Sequence, residues 1–211
     1  MRSHGVFFSL ALVGAASLHA QGLPTLPHTI PGICPLECCR LGRWQSNWAA
    51  IPVYVAPGQR GSRHTAIAAK STFVADSSIV VVRRLGIAIV DRPVRTIPGA
   101  VTDSTMLAPG DTVYLLHYQL EDTFTAVVNG VTKDVEAFWK DGPGMLRPKG
   151  TPFFGRALRG PVEEWWVHVR FGAGSVGWIN MTRNESVSGP DGCGGDAVQP
   201  RVAAGAVRAS I

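Results

Sequence analysis

Beyond its first twenty residues this chain offers no stretch with a 3.6-residue apolar stripe and helix caps. Glycine and proline cut it instead into short runs rich in β-branched and aromatic residues. That punctuation is what most constrains the fold. The 211 residues include 24 Gly and 15 Pro, above the usual share of ~12% for the two together. Only 17% of the residues are charged, against an ordinary ~25%. These figures exclude a collagen, a coiled coil and an acidic disordered tail. An all-helical bundle would be richer in Ala, Glu, Lys and Leu. The length suffices to bury one sizeable core or two small ones. The expected fold class is all-β, with short strands in small barrels.

Residues 21–33 hold three prolines and no periodicity, and read as an extended lead-in. Ile51–Ala56 is a short apolar run ended by the turn Pro57-Gly58. Thr72–Val82 and Leu85–Val90 are rich in β-branched residues. Asp91 to Gly110, with three prolines and two glycines, reads as the connector between two halves. In the second half Thr112–Leu120 and Thr123–Val128 are strands. Asn129-Gly130 is the strongest hairpin signal in the chain, with Val131–Trp139 returning as partner. Lys140–Phe153 is a loop. Glu164–Phe171 alternates, with Trp165, Val167, Val169 and Phe171 on one face and Trp166, His168 and Arg170 on the other. Gly172 opens a tight turn into the closing strand Val176–Asn180. Beyond Asn184 no pattern remains, and 199–211 reads as a disordered tail. The expected organisation is a lead-in over 21–43, one β module over 44–100, a second over 101–183, and a tail over 184–211.

Residues 1–20 read as a secretory signal. Arg2 supplies the positive start, Gly5–Ala16 the apolar stretch, and Ala20 a small residue before a cut at Gln21. The apolar stretch is well short of the ~20 residues that span a bilayer, and no later run approaches that length. The expectation is a soluble chain, secreted or periplasmic. Basic residues outnumber acidic ones 20 to 15, and sixteen of the twenty are Arg. They are scattered, so no basic stripe marks a nucleic-acid face, and no nucleic-acid partner is expected.

An oxidising compartment turns attention to the four cysteines, Cys34, Cys38, Cys39 and Cys193. An even number points to two disulfides. Closure between adjacent Cys38 and Cys39 makes a strained eight-membered ring. One local bridge from Cys34 to Cys38 or Cys39, and one long bridge to Cys193, are expected. A zinc site would need paired C-x-x-C knuckles, which are absent from the sequence. No metal and no cofactor is expected.

The run Trp165-Trp166-Val-His-Val-Arg, then Gly172-Ala-Gly, then Gly177-Trp178-Ile179 resembles the C-terminal half of bacterial SH3-like (SH3b) domains. Upstream, Leu107-Ala-Pro-Gly-Asp-Thr-Val113-Tyr114-Leu115 is similar to the segment by which such domains enter their central strands. The ends, Cys34-Pro-Leu-Glu-Cys38-Cys39 and Asp191-Gly-Cys193-Gly194, resemble exported bacterial proteins carrying these domains. The resemblance spans about residues 34–194 and implies two SH3-like barrels in tandem. Residues 44–100 depart from it, lacking a Gly-Trp-Val closing strand.

What the resemblance implies is a non-catalytic module that docks a cell-wall peptide, peptidoglycan or an envelope protein. In such barrels aromatic rings accept extended chains at little entropic cost. Trp166, Tyr118 and Trp139 are the expected groove residues, with Trp165 in the core. The alternatives are a structural subunit of the envelope, or a cell-wall turnover enzyme or inhibitor. His64, His117 and His168 show no HxH or HExxH spacing, and no G-x-S-x-G is present. Adjacent Glu163 and Glu164 point to opposite faces of a strand, which rules out a carboxylate dyad and reads as a solvated edge. Asn180-Met-Thr182 and Asn184-Glu-Ser186 match the glycosylation sequon, which matters only in a eukaryotic secretory pathway.

Overall fold

The computed structural model describes residues 22–35, 39–59, 61–97, 104–119, 123–136, 139–142, 151–182 and 184–190. The first twenty residues, Cys38, Cys193 and the 199–211 tail lie outside them, with the expectations that fall there. Among the described residues the protein is all-β, with two curled sheets consistent with two small barrels.

The first sheet runs in the order β16 (Val187–Ser188), β2 (Gly42–Ser46), β5 (Thr72–Arg84), β14 (Val162–Phe171), β15 (Ser175–Asn180), β3 (Ile51–Tyr54), β4 (Arg63–Ile67). The lead-in contributes β1 (His28–Pro31), which pairs with the far half of β5. The second sheet runs β12 (Trp139–Lys140), β13 (Gly155–Arg159), β6 (Gly86–Val90), β9 (Thr112–Tyr118), β10 (Thr123–Val128), β11 (Val131–Glu136), β7 (Val94–Ile97), β8 (Met106–Leu107). Among the described strands only β12 and β13 pair in parallel.

This pairing replaces the tandem organisation expected from sequence. Residues 86–97, assigned to the first module, pair inside the second sheet, and the hairpin 162–180, assigned to the second, pairs in the first. One unit is therefore nested in the other, entering after β5 and leaving before β14. Both units have one topology. With β1 of the outer unit and β12 of the inner unit set aside, the remaining seven strands, numbered by chain order within each unit, lie seventh, first, fourth, fifth, sixth, second, third. The residues carry the same repeat: Pro52-Val-Tyr-Val-Ala-Pro-Gly58 matches Pro93-Val-Arg-Thr-Ile-Pro-Gly99, and Thr65-Ala-Ile-Ala matches Thr105-Met-Leu-Ala. Five residues after each of these threonines, Lys70 and Gly110 both adopt positive φ, at 61° and 95°. The stretch 91–110 thus holds β7 and β8, which a connector would not. Val94 and Leu107 are both buried there.

Among the described residues three apolar clusters form the core. The outer unit packs Trp44, Ile51, Val53, Ile67, Phe73 and Val167 among others, and the Cys34–Cys39 disulfide lies against this cluster. The inner unit packs Val113, Leu115, Phe124, Ala126, Val135 and Trp139. Between them Val80, Val82 and Leu85 of the outer unit meet Leu116 and Val127 of the inner one, with Leu23, Ile30 and Ile33 of the lead-in against the seam. The two crossing chains touch at Gly86, where an added Cβ would lie 2.8 Å from the Pro161 nitrogen and 2.9 Å from Leu115 Cβ. The Asn129-Gly130 turn forms as expected, with φ of 50° and 78°.

Candidate functional site

Strand alternation sorts the outer unit's side chains. Phe73, Ala75, Val167, Val169, Ile179 and Val53 turn inward and are buried. Their neighbours turn outward, and cross-strand register sets them in rows. Trp178 faces His168 on one side and Tyr54 on the other, and Tyr54 faces Arg63 on β4. The next row holds Arg43, Val74, Arg170 and Val176. Trp178 and Tyr54 are half-buried, while Arg43, Arg63, Arg170, Val74 and Val176 are exposed.

One irregularity shapes this face. The β5–β14 register shifts at His168/Val169, so Asp76 is an extra residue with no cross-strand partner. Its carboxylate swings to its neighbours instead. Asp76 Oδ1 lies 2.6 Å from His168 Nδ1, and Oδ2 forms an ion pair with Arg170 Nε at 3.2 Å. The His168 ring, so oriented, meets Trp178 edge-on at 5.2 Å between centroids. No described hydroxyl or thiol hydrogen-bonds to the His168 ring.

The three expected groove residues do not form one surface. Trp166 points outward, as alternation requires, yet is 0% exposed. Tyr54 covers it edge-on at 5.3 Å, and its Nε1 donates to Glu164 Oε2 at 3.0 Å. Arg83 Nη2 bonds the same carboxylate oxygen and the Gly58 carbonyl, which brings the β3–β4 loop over the ring. Trp139 and Tyr118 lie in the other unit. Trp139 is buried in its core, and Tyr118 is half-buried beside Phe124 at 5.0 Å. Trp165 is in the outer core, where its Nε1 donates to Ser78 Oγ at 2.7 Å.

Glu163 and Glu164 do diverge, but neither is at a solvated edge. Glu164 is buried with Arg83 and Trp166. Glu163 Oε2 lies 2.6 Å from Nδ1 of buried His117, across the seam between units. Of the sequons, Thr182 Oγ1 accepts from the Trp165 amide, and Ser186 Oγ accepts from the amides of Trp48 and Ala49. Both hydroxyls are committed to the fold. Among the described residues no group of three His, Cys, Asp or Glu side chains could hold a metal ion.

Tyr54 and Arg63 were missed as site residues because their place beside Trp178 depends on β3 joining β15, a pairing about 120 residues apart in sequence. Trp48, 67% exposed, also escaped notice, since it sits in a loop with no periodicity to place it. Comparison with family models, curated proteins and solved structures finds no match for this chain.

Proposed function

We propose that this protein is a non-catalytic, exported binding module of SH3-like type that docks a cell-wall peptide, peptidoglycan or an envelope protein. The observation that carries the reading is the outward row His168–Trp178–Tyr54. Flat rings held at fixed spacing on a rigid sheet offer contact area at low entropic cost. Here the rings are fixed by Asp76, by the cross-strand register and by Trp166 beneath Tyr54. Export is supported by the Cys34–Cys39 disulfide, a bond that persists in oxidising compartments. Among the described residues no helix is long and apolar enough to cross a membrane.

Two histidine–carboxylate pairs bear on a hydrolytic reading, since a carboxylate can orient a histidine base. The His117 ring of His117–Glu163 is buried at the seam, which leaves the partly exposed pair His168–Asp76. Catalysis by that route also needs a nucleophile on the other ring nitrogen, and none of the described residues supplies one. The pair acts as a strut that sets the Trp178 ring.

The test is co-sedimentation of the purified exported protein with purified peptidoglycan, with Trp178→Ala and Trp166→Ala alongside. The wild type is expected to sediment with the wall and Trp178→Ala to stay in solution. If the wild type stays in solution, wall docking fails. If Trp178→Ala sediments as well as the wild type, the row is not the docking face.

A further inference from the structure

The charge on this face allows the occupant to be narrowed. Three arginines border the aromatic row. Arg43 stands in the row of Val74 and Val176, Arg63 stands next to Tyr54, and Arg170 lies between Val74 and Val176. Arg43 and Arg63 are exposed and hold no described partner. The acids of this face are already engaged: Glu164 is buried against Arg83, and Asp76 pairs with His168 and Arg170. The face therefore carries a positive surplus with aromatic and valine surface between the charges.

Resting on the binding-module reading, we propose that the occupant is an extended peptide bearing carboxylates, laid across the strands from Arg43 to Arg63. The dimensions agree with that. Along the curl of the sheet β2 and β4 are five strand steps apart, an arc of about 24 Å at the usual ~4.8 Å spacing, which seven or eight residues cover if the peptide follows the outer curve. Carboxylates at the two ends meet guanidinium groups whose planar fork matches them. The middle of the peptide lies on Val74, Val176 and the Trp178 ring. Exposed ion pairs of this kind weaken as salt screens them, so binding falls with ionic strength.

Fluorescence anisotropy of a labelled octapeptide with glutamates at both ends tests this, with the full-length protein as titrant. The comparisons are the same peptide with glutamine for glutamate, and a single-stranded oligothymidylate. The glutamate peptide is expected to bind at least tenfold more tightly than the glutamine one, and to lose affinity between 50 and 200 mM salt. Arg43→Glu with Arg63→Glu is expected to remove that preference. Arg156→Glu, the same charge change at an exposed site on β13 of the other unit, is expected to keep it. Thermal melting of each variant shows whether the fold persists; a double variant that melts early is replaced by Arg43→Gln with Arg63→Gln. Equal binding of the two peptides overturns the charge argument while leaving the docking face in place. Binding of neither overturns the peptide, and wall co-sedimentation then judges the broader reading separately. Tighter binding of the oligonucleotide overturns the peptide in favour of a stacking platform.

Discussion

Two adjacent tryptophans on β14 show how little exposure follows from side-chain direction alone. Trp165 turns into the core and Trp166 turns away from it, yet both are buried, because the outward face has its own cover of Tyr54, Glu164 and Arg83. Trp166→Ala is expected to cost about 3–5 kcal/mol, the usual penalty for emptying a large aromatic site. Trp178→Ala, on a half-buried ring, is expected to cost about 1 kcal/mol. Denaturant melts followed by circular dichroism separate the two. Near-equal losses would mean that Trp178 is core rather than surface. Glu164 is a second sensitive point, since its Oε2 serves both the Arg83 guanidinium and the Trp166 N–H. Glu164→Ala takes the acceptor from the Trp166 N–H and the counter-charge from Arg83, which keeps its bond to the Gly58 carbonyl. Its expected cost is about 2–3 kcal/mol, below the full penalty for a broken buried pair because Arg83 keeps part of its water. A loss under about 0.5 kcal/mol would show that the carboxylate contributes little.

Strands were legible where alternation and turn chemistry agree. β9, β10, β14 and β15 lie close to the expected runs, and the Asn129-Gly130 hairpin closes where its residues require φ above zero. Strands of two residues were not legible. β8, β12 and β16 are too short to show a period, and each exists only through its partner. β7 was hidden differently: Val94-Arg-Thr-Ile97 alternates, but the flanking Pro93 and Pro98 mark it as loop. Comparing the chain with itself would have recovered it, through the repeat that begins at Pro52 and Pro93. The lead-in held more order than its prolines imply. β1 covers β5 from Ile79 to Val82, and Ile30 reaches the seam between the units. Ile30→Asp is expected to detach β1, leaving the sheets intact while amide exchange at residues 79–82 rises by at least tenfold. Unchanged protection there would show that β1 adds nothing to that edge.

At the scale of the whole molecule, nesting explains why the domain boundary could not be read locally. The chain crosses between units at Leu85–Gly86 and again near Pro161, and no composition shift marks either point. The candidate face was hidden for the same reason, being assembled from residues 43–63, 74–77 and 168–178 on either side of the insertion. A unit assembled from two distant chain segments pays a large loop-closure entropy, and a long covalent tie offsets that term. The outer unit is closed by β16, which returns to β2, and by the Arg40 amide donating to the Pro190 carbonyl at 2.8 Å. With Cys34 bonded to Cys39, the cysteines left for a second bridge are Cys38 and Cys193, both outside the described residues. They stand two and three residues from that Arg40–Pro190 bond, and three extended residues span only about 10 Å. The expected second bridge therefore joins Cys38 to Cys193. In the chain-entropy model a loop of that length stabilises by about 4–5 kcal/mol. Proteolysis without reductant, followed by mass spectrometry, should give a peptide linking 38 to 193, and Cys193→Ser should lower stability by most of that amount. Free thiols at both positions, or a bridge from Cys34 to Cys193, would sink this assignment and leave the outer unit closed by hydrogen bonds and its core alone.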